Sequence, residues 1–215
     1  MISTILRAGY LRVIQSTRVL RSINMQFLLI AALTLLLPSR GNTQDDDECS
    51  WIINKSGWGG RPSKEVKYMN IPVRYVIIQH TATPRCNSAS QCADRVANIQ
   101  TYHMDTLNWH DIGISFLVGG DGNVYEGSGW HQVGAHTRGY NTKSIGVAFI
   151  GNFDDVLPPK AQLDAARHLL DCGVKTGRLS DDFKLIAQRQ VSSTISPGLS
   201  LFREIQKWPE WVEIP

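Results

Sequence analysis

The sequence predicts an α/β domain, a central mixed β-sheet flanked by helices. Three observations carry this. Two nearly continuous β-branched apolar runs, VRYVIIQ at 73–79 and SIGVAFI at 144–150, have the composition of strands buried on both faces. Amphipathic stretches at 88–104 and 158–176 alternate with them. The tetrapeptide Gly119-Gly120-Asp121-Gly122 marks a tight hairpin between two short apolar runs. Strands that alternate with helices imply a layered sheet with the helices packed on it.

In chain order, the first 41 residues stand apart. They carry Arg7, Arg12, Arg18, Arg21 and Arg40 and no acidic residue. The apolar run at 27–37 is shorter than the roughly 20 residues a spanning helix needs. It has the length of a signal-peptide core, and Ser39-Arg40-Gly41 has a small-x-small cleavage pattern. Residues 1–41 are therefore expected to be a basic leader and signal peptide. Translation from Met25 and a mitochondrial transit peptide are the other readings open to this stretch. A polar arm follows at 42–50, NTQDDDECS, and then one domain at 51–215 with no linker long enough to split it.

Within that domain 73–79 is a central strand. The stretch 88–104 is a helix with a Ser-rich start and apolar residues at Ala93, Val96, Ala97 and Ile99. Strands are expected at 112–118 and, across the glycine turn, at 124–126; 144–150 is another buried strand. The helix at 158–176 starts with Pro159 and has an apolar face of Leu163, Ala166, Leu169 and Leu170. A short strand at 183–187 and a helix at 199–206 complete the chain.

The charge balance excludes some partners. The whole chain has 22 basic and 19 acidic residues, net +3. Without the five leader arginines, 17 basic residues face 19 acidic ones, net −2. The basic character belongs to the leader, and no clustered basic face points to nucleic acid. No membrane anchor is expected in the mature form. The four cysteines all lie after the leader, an even count that suits disulfides in an exported chain. Three pairings are open to them. Cys86 and Cys92 enclose the short polar loop NSASQ and form the natural local pair, which leaves Cys49 to tie the arm to the helix that holds Cys172. Asn54-Lys55-Ser56 is a glycosylation sequon.

Several segments share one pattern: WGGRP from Trp58, RYVIIQHTA from Arg74, the pair Cys86 and Cys92, Tyr102-His103, and Asp111-Ile112-Gly113. GGDGNVYEGSGW from Gly119, GAHTRGYN from Gly134, SIGV from Ser144, FIGNF from Phe149 and Ser196-Pro197-Gly198 continue it. With these the chain resembles the peptidoglycan recognition proteins over nearly all of its mature length. The resemblance implies the fold of the type 2 N-acetylmuramoyl-L-alanine amidases, and the two disulfides look like those of short, secreted insect members.

In the amidase members two His and one Cys hold a zinc ion, and a Tyr assists catalysis. The resemblance places the first ligand at Gln79, in Gln79-His80-Thr81-Ala82. It places the second at Gln188, in Gln188-Arg189-Gln190-Val191, and the third at Ser196. The Tyr position is Ile114. A neutral amide oxygen is a weak zinc donor, and a Ser hydroxyl is not ionised at pH 7 as a zinc-bound thiol is. No metal, no cofactor and no zinc amidase activity are expected.

The resemblance also maps peptidoglycan contacts onto His80, Thr81, His103, Asn108, Trp109, Ala135, His136 and Asn141. Ser128, Thr194 and Ser196 complete the candidate site. Members that select diaminopimelic-type peptidoglycan tend to carry Arg where Ser128 stands, so lysine-type peptidoglycan is the expected ligand; the alternative is the diaminopimelic form, with Arg138 supplying the cation from another loop. The expected function is a secreted innate-immune receptor for bacterial peptidoglycan and muropeptides that passes a signal to downstream immune proteins. The alternative is a residual hydrolase without zinc, built on Ser196, Thr194 and His80, where a hydroxyl beside an imidazole is the minimum for nucleophilic attack.

Overall fold

The computed structural model describes residues 49–215. The expected leader at 1–41, and all but the last two residues of the arm at 42–50, lie outside the described residues. In chain order the elements are β1 (Val73–His80), α1 (Ala89–Thr101), β2 (Phe116–Val118), β3 (Val124–Glu126), β4 (Ser144–Phe149), α2 (Lys160–Lys175), β5 (Leu179–Ala187) and α3 (Leu199–Ile205). A single wide turn of π-helix, Tyr102–Thr106, extends α1, and a 3₁₀ turn, Gln188–Gln190, follows β5.

The five strands form one mixed sheet in the order β3-β2-β4-β1-β5. β1 lies parallel to both β4 and β5, β2 lies parallel to β4, and only the β2–β3 hairpin is antiparallel. The mixed α/β class expected from the sequence is the class observed. Parallel neighbours need crossovers; β3 and the loop after it return the chain from β2 to β4, and helices lie in the connections from β1 to β4 and to β5. Side chains alternate accordingly. Val76, Ile78, Phe116, Val118, Val147 and Phe149 enter one core with Leu169 and Leu170 of α2 and Leu201 and Ile205 of α3. Leu117, Ala148 and Ile150 point the other way, into a core with Trp58, Cys92 and Val96.

Boundaries moved where hydrogen bonding overrode composition. The first helix starts after Ser88, whose side chain accepts the Gln91 N–H, and leaves α geometry at Tyr102. The apolar stretch 112–115 is not a strand. Its backbone pairs with loops instead: Gly113 O accepts from Ala135 N at 2.8 Å. β5 begins four residues earlier than its apolar part, because its polar start lies at the sheet edge, where Val73 pairs with Leu179 before a bulge.

Both disulfides pair as expected. Cys49–Cys172 joins the arm to α2 with Cα atoms 6.0 Å apart, and Cys86–Cys92 closes the short loop at 5.1 Å. Asn54, in the sequon, is exposed, and its Oδ1 accepts from Ser56 Oγ and Gly57 N. No helix among the described residues is long and apolar enough to cross a membrane.

Candidate functional site

The site lies at the C-terminal ends of the parallel strands. Ile78 of β1 aligns with Ala187 of β5, so Gln79 and Gln188 follow at the same end of neighbouring strands. Gln79 is buried, at 5 % exposure. Its Nε2 lies 3.2 Å from Thr137 Oγ1 and 3.3 Å from His136 Nδ1. Gln188 Nε2 donates to the His136 carbonyl at 2.9 Å. Ser196 Oγ accepts the backbone N–H of His80 at 3.1 Å, while Ser196 N donates to Thr194 Oγ1 at 3.2 Å. The three expected ligand positions are thus neutral groups already engaged in hydrogen bonds. Among the described residues, no three His, Cys, Asp or Glu side chains are grouped to hold a metal ion. This donor set does not fit zinc, which takes imidazole, thiolate or carboxylate donors.

Beside this centre two clefts open. One, of about 430 Å³, is lined by His80, Thr81, His103 and Ile114 from the expected set. The other, of about 330 Å³, is lined by Asn108, Trp109, Ser128 and Ala135. The clefts meet where the His103 and Trp109 rings pack with centroids 4.6 Å apart. Local sequence explains that contact. The π turn sets His103 at the end of α1, and Trp109 N bonds back to His103 O at 2.9 Å. Asn108 adopts a left-handed conformation (φ 55°), which Asn tolerates better than most residues. The Trp109 ring then lies on Gly113, where a Cβ would come within 2.6 Å of it.

His136 and Asn141 line neither of these clefts. The His136 ring sits over Gly146 of β4, where a Cβ would approach its Cγ to 2.5 Å. Burial pushes its pKa down to about 4, against a weaker opposing hydrogen bond to the Ser144 backbone. Asn141 Oδ1 accepts Thr137 N at 2.7 Å and closes the turn that carries His136. Burial also lowers the pKa of His80 and of His103, opposed in part by Asp154 and Asp111 respectively.

Sequence reasoning missed one wall of each cleft. Arg95, Asn98, Ile99 and Tyr102 line the larger one from α1 and its extension. Their i, i+3, i+4, i+7 spacing was a usable signal, since it places them on one helix face. Glu65 and Lys67 line the smaller one. They are brought there by the bridge between Tyr68 and Gln132, a long-range pairing without local signature. Arg138 is exposed and lines neither cleft.

Residues 69–199 match the family model described as N-acetylmuramoyl-L-alanine amidase. The chain is 46% identical over 187 residues to peptidoglycan-recognition protein 2 of Holotrichia diomphalia, spanning 87% of this chain and 96% of the relative. The chain belongs to the peptidoglycan-recognition proteins. Solved members of that family have the same fold. Apis mellifera PGRP-SA superposes with a TM-score of 0.75 at 52% identity, covering 76% of this chain and 99% of that one. Peptidoglycan recognition protein-LE, solved with tracheal cytotoxin, a monomeric diaminopimelic acid-type peptidoglycan, gives 0.76 at 43% identity, covering 77% and 98%.

Proposed function

We propose that the mature domain is a secreted receptor that binds bacterial peptidoglycan without cleaving it as a zinc amidase does, and hands the signal to immune partner proteins. The observation that carries this reading is the pairing of two open clefts with a centre whose ligand positions are Gln79, Gln188 and Ser196. Binding needs only the clefts. Amidase chemistry needs a metal to activate water and polarise the amide carbonyl, and these side chains lack the donors to hold one. Muramyl peptides present lactyl and peptide amides, which suit partly apolar clefts with a few polar groups and a flat aromatic face such as Trp109. The relative solved with tracheal cytotoxin supports the ligand class. The paired cysteines and the basic leader support export.

Lysine-type peptidoglycan is the favoured ligand. Ser128 presents no charge to the extra carboxylate of the diaminopimelic form, and an unpaired carboxylate in a part-buried cleft is costly. Lys67 stands in the same cleft, but Glu65 beside it carries the opposite charge, so that segment adds no net cation. A hydrolase built on Ser196, Thr194 and His80 is disfavoured. Ser196 Oγ meets the backbone of His80, and the imidazole Nδ1 instead accepts from Phe153 N at 3.3 Å.

The test is calorimetric titration of the mature chain with muramyl peptides that differ only in lysine or diaminopimelate at the third stem residue, with product analysis in the presence of zinc. Tighter binding of the lysine form and no cleavage are expected. Cleavage, or no binding of either peptide, overturns the reading; tighter binding of the diaminopimelic form overturns the specificity.

A further inference from the structure

Two histidines of the larger cleft share an arrangement that fixes where their protons sit. Phe153 N donates to His80 Nδ1 at 3.3 Å, and Gly113 N donates to His103 Nδ1 at 3.1 Å. A backbone N–H can only donate. Each Nδ1 must therefore offer a lone pair, and a neutral imidazole with a bare Nδ1 carries its proton on Nε2. Among the described residues neither Nε2 has a protein partner, and neither is among the buried atoms left without one. Both rings line the same cleft.

We infer that the backbone amides of Phe153 and Gly113 hold His80 and His103 as Nε2–H tautomers, giving the cleft two fixed N–H donors for carbonyl or carboxylate oxygens of the muramyl peptide. The inference rests on reading this cleft as a muramyl-peptide site. It assigns polarity to the cleft: from these two positions it offers donors and no imidazole acceptor. Oxygen-bearing segments of the ligand are favoured against His80 and His103, and N–H-bearing segments are excluded from them. Neither ring is a general base toward the cleft, because the nitrogen that could take a proton faces backbone.

The donors are held from parts of the fold that differ in origin. Phe153 is fully buried, in the loop after β4, and anchors His80 from the sheet side. Gly113 anchors His103 while its carbonyl accepts Ala135 N, so the loop that lines the second cleft also sets the tautomer in the first. Phe153 and Gly113 are thus positioning residues that act through their main chain.

The test has two readouts. Long-range ¹H–¹⁵N correlation spectra of the mature wild-type chain at neutral pH report the protonated nitrogen of each ring without any ligand. Calorimetry with lysine-type muramyl tripeptide then compares His80→Gln and His103→Gln, whose amide N–H stands near the imidazole Nε2, with His80→Leu and His103→Leu. Protons on Nε2, near wild-type affinity for the Gln variants, and roughly three- to tenfold weaker binding for each Leu variant are expected from the loss of one neutral hydrogen bond. A proton on Nδ1 in either ring overturns the inference. Gln variants as weak as the Leu variants overturn the donor role. Expected tautomers in a wild-type chain that binds no muramyl peptide support the proton assignment and overturn the binding reading.

Discussion

Gln188 donates its side-chain amide to the His136 carbonyl at 2.9 Å. Gln79 Nε2 reaches the same oxygen at 3.5 Å, so two expected metal-ligand positions now converge on one peptide group. A centre of this kind has its polar atoms committed to each other.

Metal content follows from that commitment. The domain at 51–215 with its preceding arm, exposed to zinc and desalted, is expected to retain no stoichiometric metal by elemental analysis. The combined variant Gln79→His, Gln188→His and Ser196→Cys restores two imidazoles and a thiol and is expected to bind zinc. Retention of one zinc per wild-type chain would sink the account of the site.

The ion pair of Lys55 with Asp111 fastens the N-terminal segment to the wall of the smaller cleft. Asp111 Oδ1 also accepts Gln100 Nε2 at 2.8 Å and Ile112 N at 2.7 Å. Asp111→Ala strands a mostly buried ammonium and two donors, and is expected to cost roughly 3–5 kcal/mol in urea unfolding. Lys55→Met leaves the Asp111 carboxylate its hydrogen bonds from Gln100 Nε2 and Ile112 N, and is expected to cost less. Equal losses for the two variants contradict this.

The two disulfides constrain very different loops, 123 and 6 residues in sequence separation. Loop entropy makes the longer one the larger stabiliser, so Cys49→Ala with Cys172→Ala is expected to cost about 2–5 kcal/mol. The Cys86→Ala, Cys92→Ala pair is expected to cost less. Denaturant midpoints of the two double variants decide the order.

His136 sets a pH dependence. Its folded pKa lies at about 4, against 6.5 unfolded. Between those values the unfolded chain binds the extra proton, so stability is present above pH 6.5 and falls as pH drops towards 4. The full loss is about 3 kcal/mol by linkage. His136→Gln is expected to flatten the curve of unfolding free energy in that window. An unchanged slope places the acid sensitivity elsewhere.

Much of the fold was legible because its central strands are buried on both faces. The apolar runs around Ile77 and Val147 admit little else. The start of β5 was not, because Ser180, Asp181 and Asp182 belong to an edge strand, where side chains meet water. The π turn at Tyr102–Thr106 escaped detection because it continues the helical pattern and differs only in hydrogen-bond reach. At the site, the resemblance to the amidase motifs pointed to Gln79, Gln188 and Ser196, and the strand ends do bring the two glutamines together. The burial of the His136 ring was not legible: it depends on Gly146, ten residues away, leaving room for the ring.

The bridge between Cys86 and Cys92 lies in the core under the first turn of α1, with the two cysteines 1% and 0% exposed. A thiol reagent reaches it only when that end of the helix lifts from the sheet, an opening of local rather than global character. The same helix carries Arg95, Asn98 and Ile99 on the cleft wall. The rate of reduction is therefore a clock for how often the wall comes away. A ligand that spans α1 and the opposite loops slows that clock in proportion to its occupancy, so saturation can be followed by thiol chemistry without labelling either partner.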